Sequence, residues 1–376
     1  MPMKILFFHR WVGVHAGGTE THLLELAKRF SQRGHSVAIL TRQGDRLHDL
    51  DAPIRVYRVS RNLFESLHSY DDFRVFIHTG LFIIKSLVVL FCLYFAGKRF
   101  DVISVHFATE ALVARLFRFF TRTPFLFVLE GYTPLEAHMA RYADARIAIS
   151  QYEADIYKNN HGVEAEVIPV GIDTKRFALR DEEGRSFREK IAALDKVVFL
   201  TVCRLEPRKD LFTLIEAAKL VYEKNKNCVF LVAGDGILRN EIKRKIDTEN
   251  LSSFITLLGF VPDAALAGYY AASDVFVLTS KEEWFGIVFL EAMAAGLPIV
   301  ATHVDACPEV VGNAGVFFKK GDYRMLAQIL ARLIEEKDRR NELARNARVR
   351  SHAFEWDQVI IRYESAYMRL VRSAHV

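Results

Sequence analysis

Two glutamates, Glu283 and Glu291, lie eight positions apart in a segment that is otherwise rich in Phe, Leu, Ala and Met. Glu283 follows a predicted strand, and Glu291 lies about one turn into the helix predicted after it. The backbone N–H groups of Gly286 to Val288 open that helix and can bind an anion. A helix with ordinary surface acids is the alternative, but an acid in so apolar a segment needs a partner. We therefore interpret the segment as a site for a sugar hydroxyl, a phosphate and a ribose.

A cationic loop follows the predicted strand Val197–Val202 and contains Arg204 and Lys209. Arginine offers a planar fork of donors and lysine a compact charge, and both suit a diphosphate. The alternative is a solvated surface turn.

Two glycines, Gly17 and Gly18, stand between the first predicted strand and its helix and are followed by Thr19 and Glu20. Glycine allows close approach of the backbone to an anion, and a helix N-terminus favours negative charge. The loop is neither GxGxxG nor a Walker A motif. A simple tight turn remains the alternative.

These loops require a framework of parallel strands, and the chain alternates short apolar runs with amphipathic segments, as doubly wound α/β domains do. We predict a first domain over 1–172, a second domain over 173–355, and a C-terminal helix over 356–376 that returns to the first domain. Two facing Rossmann-like domains would hold ligands in a cleft at the carboxyl ends of their strands. Strands are predicted at Met3–Phe8, Val37–Thr41, Val102–His106, Phe125–Leu129, Ile147–Ser150, Val197–Val202, Cys228–Gly234, Ile255–Leu258, Val275–Leu278 and Ile299–Ala301.

The composition describes a folded protein with a slight basic excess, 51 Lys and Arg against 46 Asp and Glu, and with 29 Phe. Its four cysteines lack zinc spacing and are typical of reduced thiols in a cytoplasmic protein. The most apolar stretch, Leu81–Ala96, contains Lys85 and is shorter than the roughly 20 residues of a spanning helix. It predicts a buried or interfacial helix.

Motifs along the whole chain, taken together, resemble the retaining glycosyltransferases of the GT-B fold called family 4. They are GGTE in the first loop, VIPVGID at the linker, RLEPRKD in the cationic loop, AGDG, and GFVP followed by YYAASDVFVLTSKEEWFG. Glu-x7-Glu with Phe-Gly inside it and EAMAAGLPIVAT at its end completes the series. The resemblance implies a glycosyltransferase that uses a UDP- or GDP-sugar and requires no cofactor. It also implies that the first domain binds the acceptor and the second domain the donor.

The resemblance also implies roles for individual donor-side residues. Arg204 and Lys209 would neutralise the diphosphate, Glu283 would bind hydroxyls of the transferred sugar, and Glu291 would bind the ribose. Further donor contacts are implied for Gly17, Gly18, Gly259, Phe260, Val261, Phe285, Gly286, Ile287 and Val288.

One position departs from the family pattern, because many members have a histidine where this chain has Glu130 in Leu129-Glu130-Gly131-Tyr132. We favour a catalytic carboxylate that accepts a hydrogen bond from the donor sugar or the acceptor, since the flanking motif is intact. A partly degraded site is the alternative. Acceptor-binding residues are expected at Thr19, Glu20, His106 and Tyr132, although His106 could equally be a satisfied histidine at a strand end.

The mechanism implied is retention at the anomeric carbon, with the leaving diphosphate helping to deprotonate the acceptor. An oxocarbenium-like transition state needs electrostatic stabilisation more than an enzyme nucleophile. We expect no metal site: the one DxD match, Asp49–Asp51, is far in sequence from the donor motifs and is interpreted as chance.

The first domain is apolar and basic between Val75 and Ala96 and again between Arg115 and Arg122, where aromatics alternate with cations. Such a surface suits anionic lipid headgroups. We therefore expect a glycan or lipid-linked acceptor, polysaccharide or glycolipid assembly, and a peripheral location at the cytoplasmic face of a membrane. The alternative to a membrane-binding surface is that the Phe residues pack against the sheet and the Arg residues are solvated. No basic stripe accompanies a nucleic-acid-binding motif.

Two other functions were weighed against transfer. A catalytically silent nucleotide-sugar-binding scaffold is favoured only by Glu130, and the intact Arg204, Lys209, Glu283 and Glu291 argue against it. A two-domain nucleotide-sugar epimerase is disfavoured by the Glu-x7-Glu motif.

Overall fold

A computed structural model describes residues 2–12, 17–42, 53–59, 72–178, 181–191 and 193–374. The chain divides into two compact units: unit 1 contains residues 1–170 and 357–376, and unit 2 contains residues 171–356. The Asp49–Asp51 match lies outside the described residues. The fold class is confirmed, since each unit is a Rossmann-like α/β domain built on a parallel sheet.

Unit 1 contains a parallel sheet in the order β3-β2-β1-β4-β5-β6-β7. Its central strands are continuous apolar runs because helices cover both faces of such a sheet. The strand order reverses between β1 and β4, where Phe8 pairs with Val105. The strands are β1 (Lys4–Phe8), β2 (Ser36–Arg42), β3 (Arg55–Val59), β4 (Val102–Val105), β5 (Phe125–Leu129), β6 (Ala145–Ala148) and β7 (Glu166–Val167).

Helices of unit 1 cover this sheet, and the last helix of the chain belongs to them. That helix is held by two buried tyrosines: Tyr363 donates to the Ile168 carbonyl at 3.1 Å, and the Tyr367 hydroxyl lies 2.6 Å from Ser104 Oγ. The helices are α1 (Gly18–Gln32), α2 (Asp72–Phe95), α3 (Ala108–Thr121), α4 (Pro134–Ala140), α5 (Gln151–His161) and, at the C-terminus, α15 (Trp356–Ala374).

Helix α2 is, among the described residues, the one helix long and apolar enough to cross a membrane. Length and composition alone are weak evidence for a span, and in unit 1 this helix packs against α3 and β3. Phe82, Leu90 and Leu93 are buried in that packing, whereas Ile84, Val88 and Phe95 are exposed.

Unit 2 repeats the arrangement with a parallel sheet in the order β10-β9-β8-β11-β12-β13. The strand order reverses between β8 and β11. Its strands are β8 (Val197–Val202), β9 (Cys228–Ala233), β10 (Ile255–Gly259), β11 (Val275–Leu278), β12 (Ile299–Thr302) and β13 (Gly315–Phe318). Its helices are α6 (Thr174–Phe177), α7 (Asp181–Lys190), α8 (Leu211–Lys224), α9 (Arg239–Thr248), α10 (Asp263–Ala271), α11 (Ile287–Ala294), α12 (Cys307–Val311), α13 (Tyr323–Glu335) and α14 (Lys337–Ser351).

Candidate active site

The loops after β8 and β11 in unit 2 lie at the point where the strand order reverses, which is where doubly wound sheets bind ligands. Hydrogen bonds fasten the two loops together. Thr279 Oγ1 donates to the carbonyls of Lys209 and Asp210 at 2.9 and 3.0 Å, and the Lys281 N–H donates to the Arg208 carbonyl at 2.7 Å. The cationic loop and the first glutamate of Glu-x7-Glu are therefore held next to each other.

A buried ion pair joins these loops: Lys209 Nζ donates to Glu283 Oε2. Ser280 Oγ donates to the same oxygen at 3.0 Å, and the backbone N–H of Glu283 donates to Asp305 Oδ2 at 2.8 Å. The sequence indicated both members of the pair but neither Ser280 nor Asp305. The pair places a lysine charge and a carboxylate that can accept sugar hydroxyls side by side.

Arg204 lies on the same loop with 55% of its side chain exposed. Its guanidinium is 3.0 Å from Glu206 Oε1, and the Arg208 guanidinium donates to Glu206 Oε2 at 3.1 Å. Glu206 therefore holds the exposed Arg204 and the half-buried Arg208 at the end of β8. An exposed guanidinium that is oriented in this way can contact a diphosphate.

Gly286 is the residue from which helix α11 begins, with a φ of +80°. A Cβ there would come within 2.6 Å of the Phe289 ring and 3.2 Å of Glu283 Cγ. Glycine is therefore required both by the left-handed backbone and by the space. The turn places the first N–H groups of the helix, including those of Ile287 and Val288, only a few residues after Glu283 in the chain. Phe285 is buried, with its ring 6.1 Å from that of Phe354.

Glu291 lies on α11, and its Oε2 accepts a hydrogen bond from the Tyr270 hydroxyl at 2.8 Å. Burial raises the pKa of Glu291 to about 7, against the opposing effects of the Tyr270 hydrogen bond and the charge of Arg176, with Asp263 also raising it. Tyr270 is 21 positions away on α10, and no sequence signal linked the two. The carboxyl group implied to bind ribose therefore titrates near neutral pH.

We predict that nucleotide-sugar affinity rises with pH between 6 and 8. Only the ionised carboxylate accepts hydrogen bonds from both ribose hydroxyls, and the ionised fraction of a group with a pKa near 7 grows about tenfold over that range. Calorimetric titration with UDP-glucose and with GDP-mannose would measure this change. Glu291→Gln should bind weakly and with little pH dependence. Glu282→Gln, which removes an exposed charge nearby, should behave like the parent; a pH slope retained in Glu291→Gln would contradict the assignment.

The nucleobase segment implied by the resemblance lies at the end of β10. Gly259 has a φ of +71°, and its carbonyl accepts from the Gly234 N–H at 2.7 Å. Phe260 is exposed, and Val261 is half-buried. Gly234 itself leaves no room for a side chain, because a Cβ would lie 1.8 Å from the Cys203 carbonyl oxygen. The ends of β8, β9 and β10 are thus packed against one another.

In unit 1 the glycine loop leads directly into helix α1. Gly17 precedes the first helical residue with an extended backbone, and Gly18 begins the helix. Thr19 and Glu20 occupy the first turn. The arrangement is the strand-loop-helix unit that the sequence predicted.

Glu130 follows β5 and lies between two histidines. Its Oε1 is 2.5 Å from His22 Nδ1 and 3.2 Å from His106 Nδ1, and its side chain is only 5% exposed. Burial acts to raise the pKa of Glu130, but the two imidazoles outweigh it and hold the pKa well below the ordinary range. The carboxylate oxygen expected to meet substrate therefore accepts from protein imidazoles.

The sequence analysis missed His22, which lies on α1, 108 positions before Glu130. It also missed His9. A signal for His9 was present in the sequence, because it follows β1 directly, just as His106 follows β4 directly.

The residues after Glu130 are held in place by hydrogen bonds. The Tyr132 hydroxyl lies 2.7 Å from His161 Nε2. Glu153, which is fully buried, accepts from the N–H groups of Gly131 and Ile149 at 2.6 and 3.1 Å and so fixes the turn after Glu130.

Two Rossmann-like units with candidate ligand loops at the carboxyl ends of their strands have the architecture of the GT-B fold. Residues 183–350 match the family described as glycosyl transferases group 1, and residues 16–176 match glycosyltransferase family 4. The chain belongs to the family 4 glycosyltransferases.

Relatives with known names are moderately similar. The alpha-monoglucosyldiacylglycerol synthase of Acholeplasma laidlawii is 29% identical over 217 residues, which is 56% of this chain and 54% of that enzyme. The chain thus matches about half the length of that relative. An Escherichia coli UDP-Gal:alpha-D-GlcNAc-diphosphoundecaprenol alpha-1,3-galactosyltransferase is 29% identical over 278 residues, 67% of this chain and 71% of that one.

Among solved structures, Alr3699/HepE of Anabaena in complex with UDP has a TM-score of 0.80 and 22% identity. The match covers 98% of this chain and 100% of that one. This likeness supports the fold.

Proposed function

We propose that this glycosyltransferase acts with retention and moves a hexose from a UDP- or GDP-sugar to a hydroxyl of a glycan or glycolipid acceptor, in polysaccharide or glycolipid assembly. The buried pair of Lys209 and Glu283, beside the N-terminus of α11, is the observation that carries the proposal. It combines a charge for the departing diphosphate with a carboxylate for the sugar. The diphosphoundecaprenol-linked and diacylglycerol-linked names of the two relatives support a lipid-linked acceptor.

The chemistry assigned to these residues is electrostatic. As the bond between the anomeric carbon and the diphosphate breaks, negative charge grows on the leaving oxygen and positive charge on the sugar ring. Lys209, Arg204 and the N–H groups that open α11 stabilise the former because they are already oriented before the reaction. The acceptor proton passes to the leaving diphosphate, and the acceptor oxygen forms the new bond on the same face of the sugar. The nucleotide sugar is the donor, and no other cofactor enters the scheme.

The proposal includes a peripheral position at the cytoplasmic face of a membrane, which the exposed surface of unit 1 supports. Successive residues of a helix are turned by about 100°, so Leu81, Ile84, Val88, Phe91 and Phe95 form one stripe along α2. The stripe continues onto α3, because the Phe91 ring lies 5.7 Å from that of Phe120. We call the stripe together with Leu116, Phe119 and Phe120 the apolar patch.

The charges around the apolar patch suit anionic lipids. Residues 78–123 contain six Lys and Arg and only two acids, Asp101 and Glu110. Neither acid is exposed: Asp101 is half-buried and accepts from the Lys4 N–H, and Glu110 is buried. Lys98, Arg99 and Arg122 are exposed just after the ends of α2 and α3. An apolar face bounded by cations is typical of surfaces that bind the interface of a membrane.

The experiment that tests the function is a donor screen followed by product stereochemistry. We expect one nucleotide among UDP, GDP and ADP to raise the melting temperature, since a ligand that binds the folded state stabilises it. The matching hexose donor should be transferred to a lipid-linked sugar acceptor, and proton NMR of the first product should show the anomeric configuration of the donor. The opposite configuration would overturn retention. If a nucleotide raises the melting temperature but the protein neither hydrolyses the nucleotide sugar nor transfers its sugar, the catalytically silent scaffold would be favoured instead.

A further inference from the structure

The imidazoles at the end of the unit 1 sheet have tautomers that their hydrogen bonds define. His9 Nδ1 accepts from the Trp11 N–H at 3.1 Å, so this nitrogen carries a lone pair. Burial, with a smaller contribution from His106, lowers the pKa of His9 to about 3, which keeps the ring neutral. The proton of His9 is therefore on Nε2.

His106 has the opposite tautomer. Its Nδ1 faces the ionised Glu130 carboxylate at 3.2 Å and must donate, so a neutral His106 carries its lone pair on Nε2. His22, which faces the same carboxylate oxygen through Nδ1, is fixed in the same sense. Glu130 thus determines which nitrogen of each ring carries the proton, as the partner of an imidazole does in many active sites.

In His9 and His106 the second ring nitrogen, Nε2, is buried and has no hydrogen-bond partner among the described residues. One is a donor and the other an acceptor. A buried polar atom without a partner costs about 1–3 kcal/mol and calls for an explanation. The ring centroids lie 5.8 Å apart, close enough for one small ligand group to contact both rings.

The position of the pair in the sheet also points to a ligand. His9 directly follows β1 and His106 directly follows β4, and these adjacent strands flank the point where the strand order of unit 1 reverses. Ligands of doubly wound sheets bind outside the carboxyl ends of the strands at this point. A hydroxyl is the simplest sugar group that accepts one hydrogen bond and donates another.

We propose that His9 and His106 bind one hydroxyl of a sugar, with His9 Nε2–H donating to its oxygen and His106 Nε2 accepting its proton. Glu130 is then a positioning residue, because it holds His106 in the tautomer that can accept. The imidazole that many family members carry after β5 is replaced by one after β4. This inference rests on the proposed function and adds the group in unit 1 that contacts sugar.

The variants His9→Phe and His106→Phe test the pair, with the exposed His138→Phe as the matched control. Each Phe variant at the pair should lower kcat/KM for transfer about 10- to 100-fold, since a substrate hydroxyl loses a partner in a buried site. If the hydroxyl belongs to the donor sugar, UDP-sugar affinity and hydrolysis fall while UDP affinity is kept. If it belongs to the acceptor, hydrolysis is unchanged and the acceptor KM rises.

The role of Glu130 needs a spectroscopic measurement, because an activity loss alone would also follow from a structural role. Nitrogen-15 NMR of histidine-labelled protein should show His22 and His106 with the proton on Nδ1. Glu130→Gln should no longer show that pattern. Its transfer activity should fall about as far as that of His106→Phe, while its UDP affinity and melting temperature stay close to those of the parent.

Three results would overturn the inference. Transfer within threefold of the parent in both Phe variants would mean that the two nitrogens bind only buried water. An Nε2–H tautomer of His106 in the parent protein would remove the acceptor. A parent protein that turns over no nucleotide sugar would refute the proposed function, and the inference with it. An active parent with active Phe variants would refute the inference alone.

Discussion

Lys209→Met should lower kcat/KM for sugar transfer by about 10³-fold and also destabilise the protein. The activity loss follows because the side chain supplies a positive charge where the diphosphate leaves, and one such group contributes about 10²–10³ in rate. The stability loss follows because the Glu283 carboxylate stays buried with Ser280 as its remaining side-chain donor. Breaking a buried ion pair by removing one partner costs about 3–5 kcal/mol.

A double variant separates these two effects. Lys209→Met combined with Glu283→Gln removes both charges, so the unfolding free energy should return to within about 1 kcal/mol of the parent value. Transfer should stay as low as in the single variant, because neither the charge for the diphosphate nor the carboxylate for the sugar is restored. Chemical denaturation and steady-state kinetics on the same preparations would measure both quantities.

The matched control for this series is Lys243→Met on α9, which removes one charge from a surface helix of unit 2. Lys243 Nζ lies 2.6 Å from Asp247 Oδ2, and the two side chains are 62% and 52% exposed. An exposed pair contributes about 0–1 kcal/mol, so we expect stability and transfer close to the parent values. A double variant that transfers sugar at more than a tenth of the parent rate would show that the buried pair is only structural.

Strands β8 to β12 of unit 2 and the loops after β8 and β11 could be predicted from the sequence because each is encoded locally. Strand β13 was missed: it is a four-residue edge strand that begins with a glycine. The runs at Val197–Val202 and Val275–Leu278 are continuous and apolar, and the glycine and helix signals of the Glu-x7-Glu segment follow directly. Strand β3 was missed because Arg55–Val59 is an edge strand in which Arg and Tyr interrupt the apolar pattern. Strand β7 has only two residues, too few for a periodicity to appear.

The side-chain partners could not be predicted in the same way. Glu291 contacts Tyr270, and Glu130 contacts His22. Both contacts require a particular rotation of a helix and a particular position of the neighbouring strand or helix. Such contacts depend on the packing of distant segments, which a local pattern does not encode. The residue types at the site could therefore be named in advance, whereas the role of Glu130 as an acceptor from two histidines could not.

The double variant Phe119→Asp/Phe120→Asp should lower binding to anionic vesicles by at least about 100-fold. The two side chains are 80% and 69% exposed and belong to the apolar patch, with their rings 5.1 Å apart. Burying one such side chain in the membrane interface contributes about 1.5–3 kcal/mol, and the added negative charges repel anionic headgroups. Cosedimentation with phosphatidylglycerol vesicles would measure the change.

The same charge change elsewhere should leave binding intact. Leu194→Asp/Val349→Asp is the matched control, since these side chains are also exposed, at 48% and 73%, but belong to unit 2. Because the substituted side chains are exposed in the parent, the melting temperatures of all variants should agree within a few degrees. A parent protein that does not bind anionic vesicles at low salt, or a double variant that binds as the parent does, would contradict the proposed membrane surface.

Salt and alkali distinguish binding at the membrane surface from a helix that spans the bilayer. Each of the cations Lys98, Arg99 and Arg122 should contribute about 1 kcal/mol near an anionic surface, and that attraction is screened by salt. We therefore expect binding to weaken in high salt and alkaline carbonate to release the protein. Retention of the chain in membranes after carbonate extraction would instead indicate that α2 leaves its packing against α3 and β3 and spans the bilayer, which its length and composition permit.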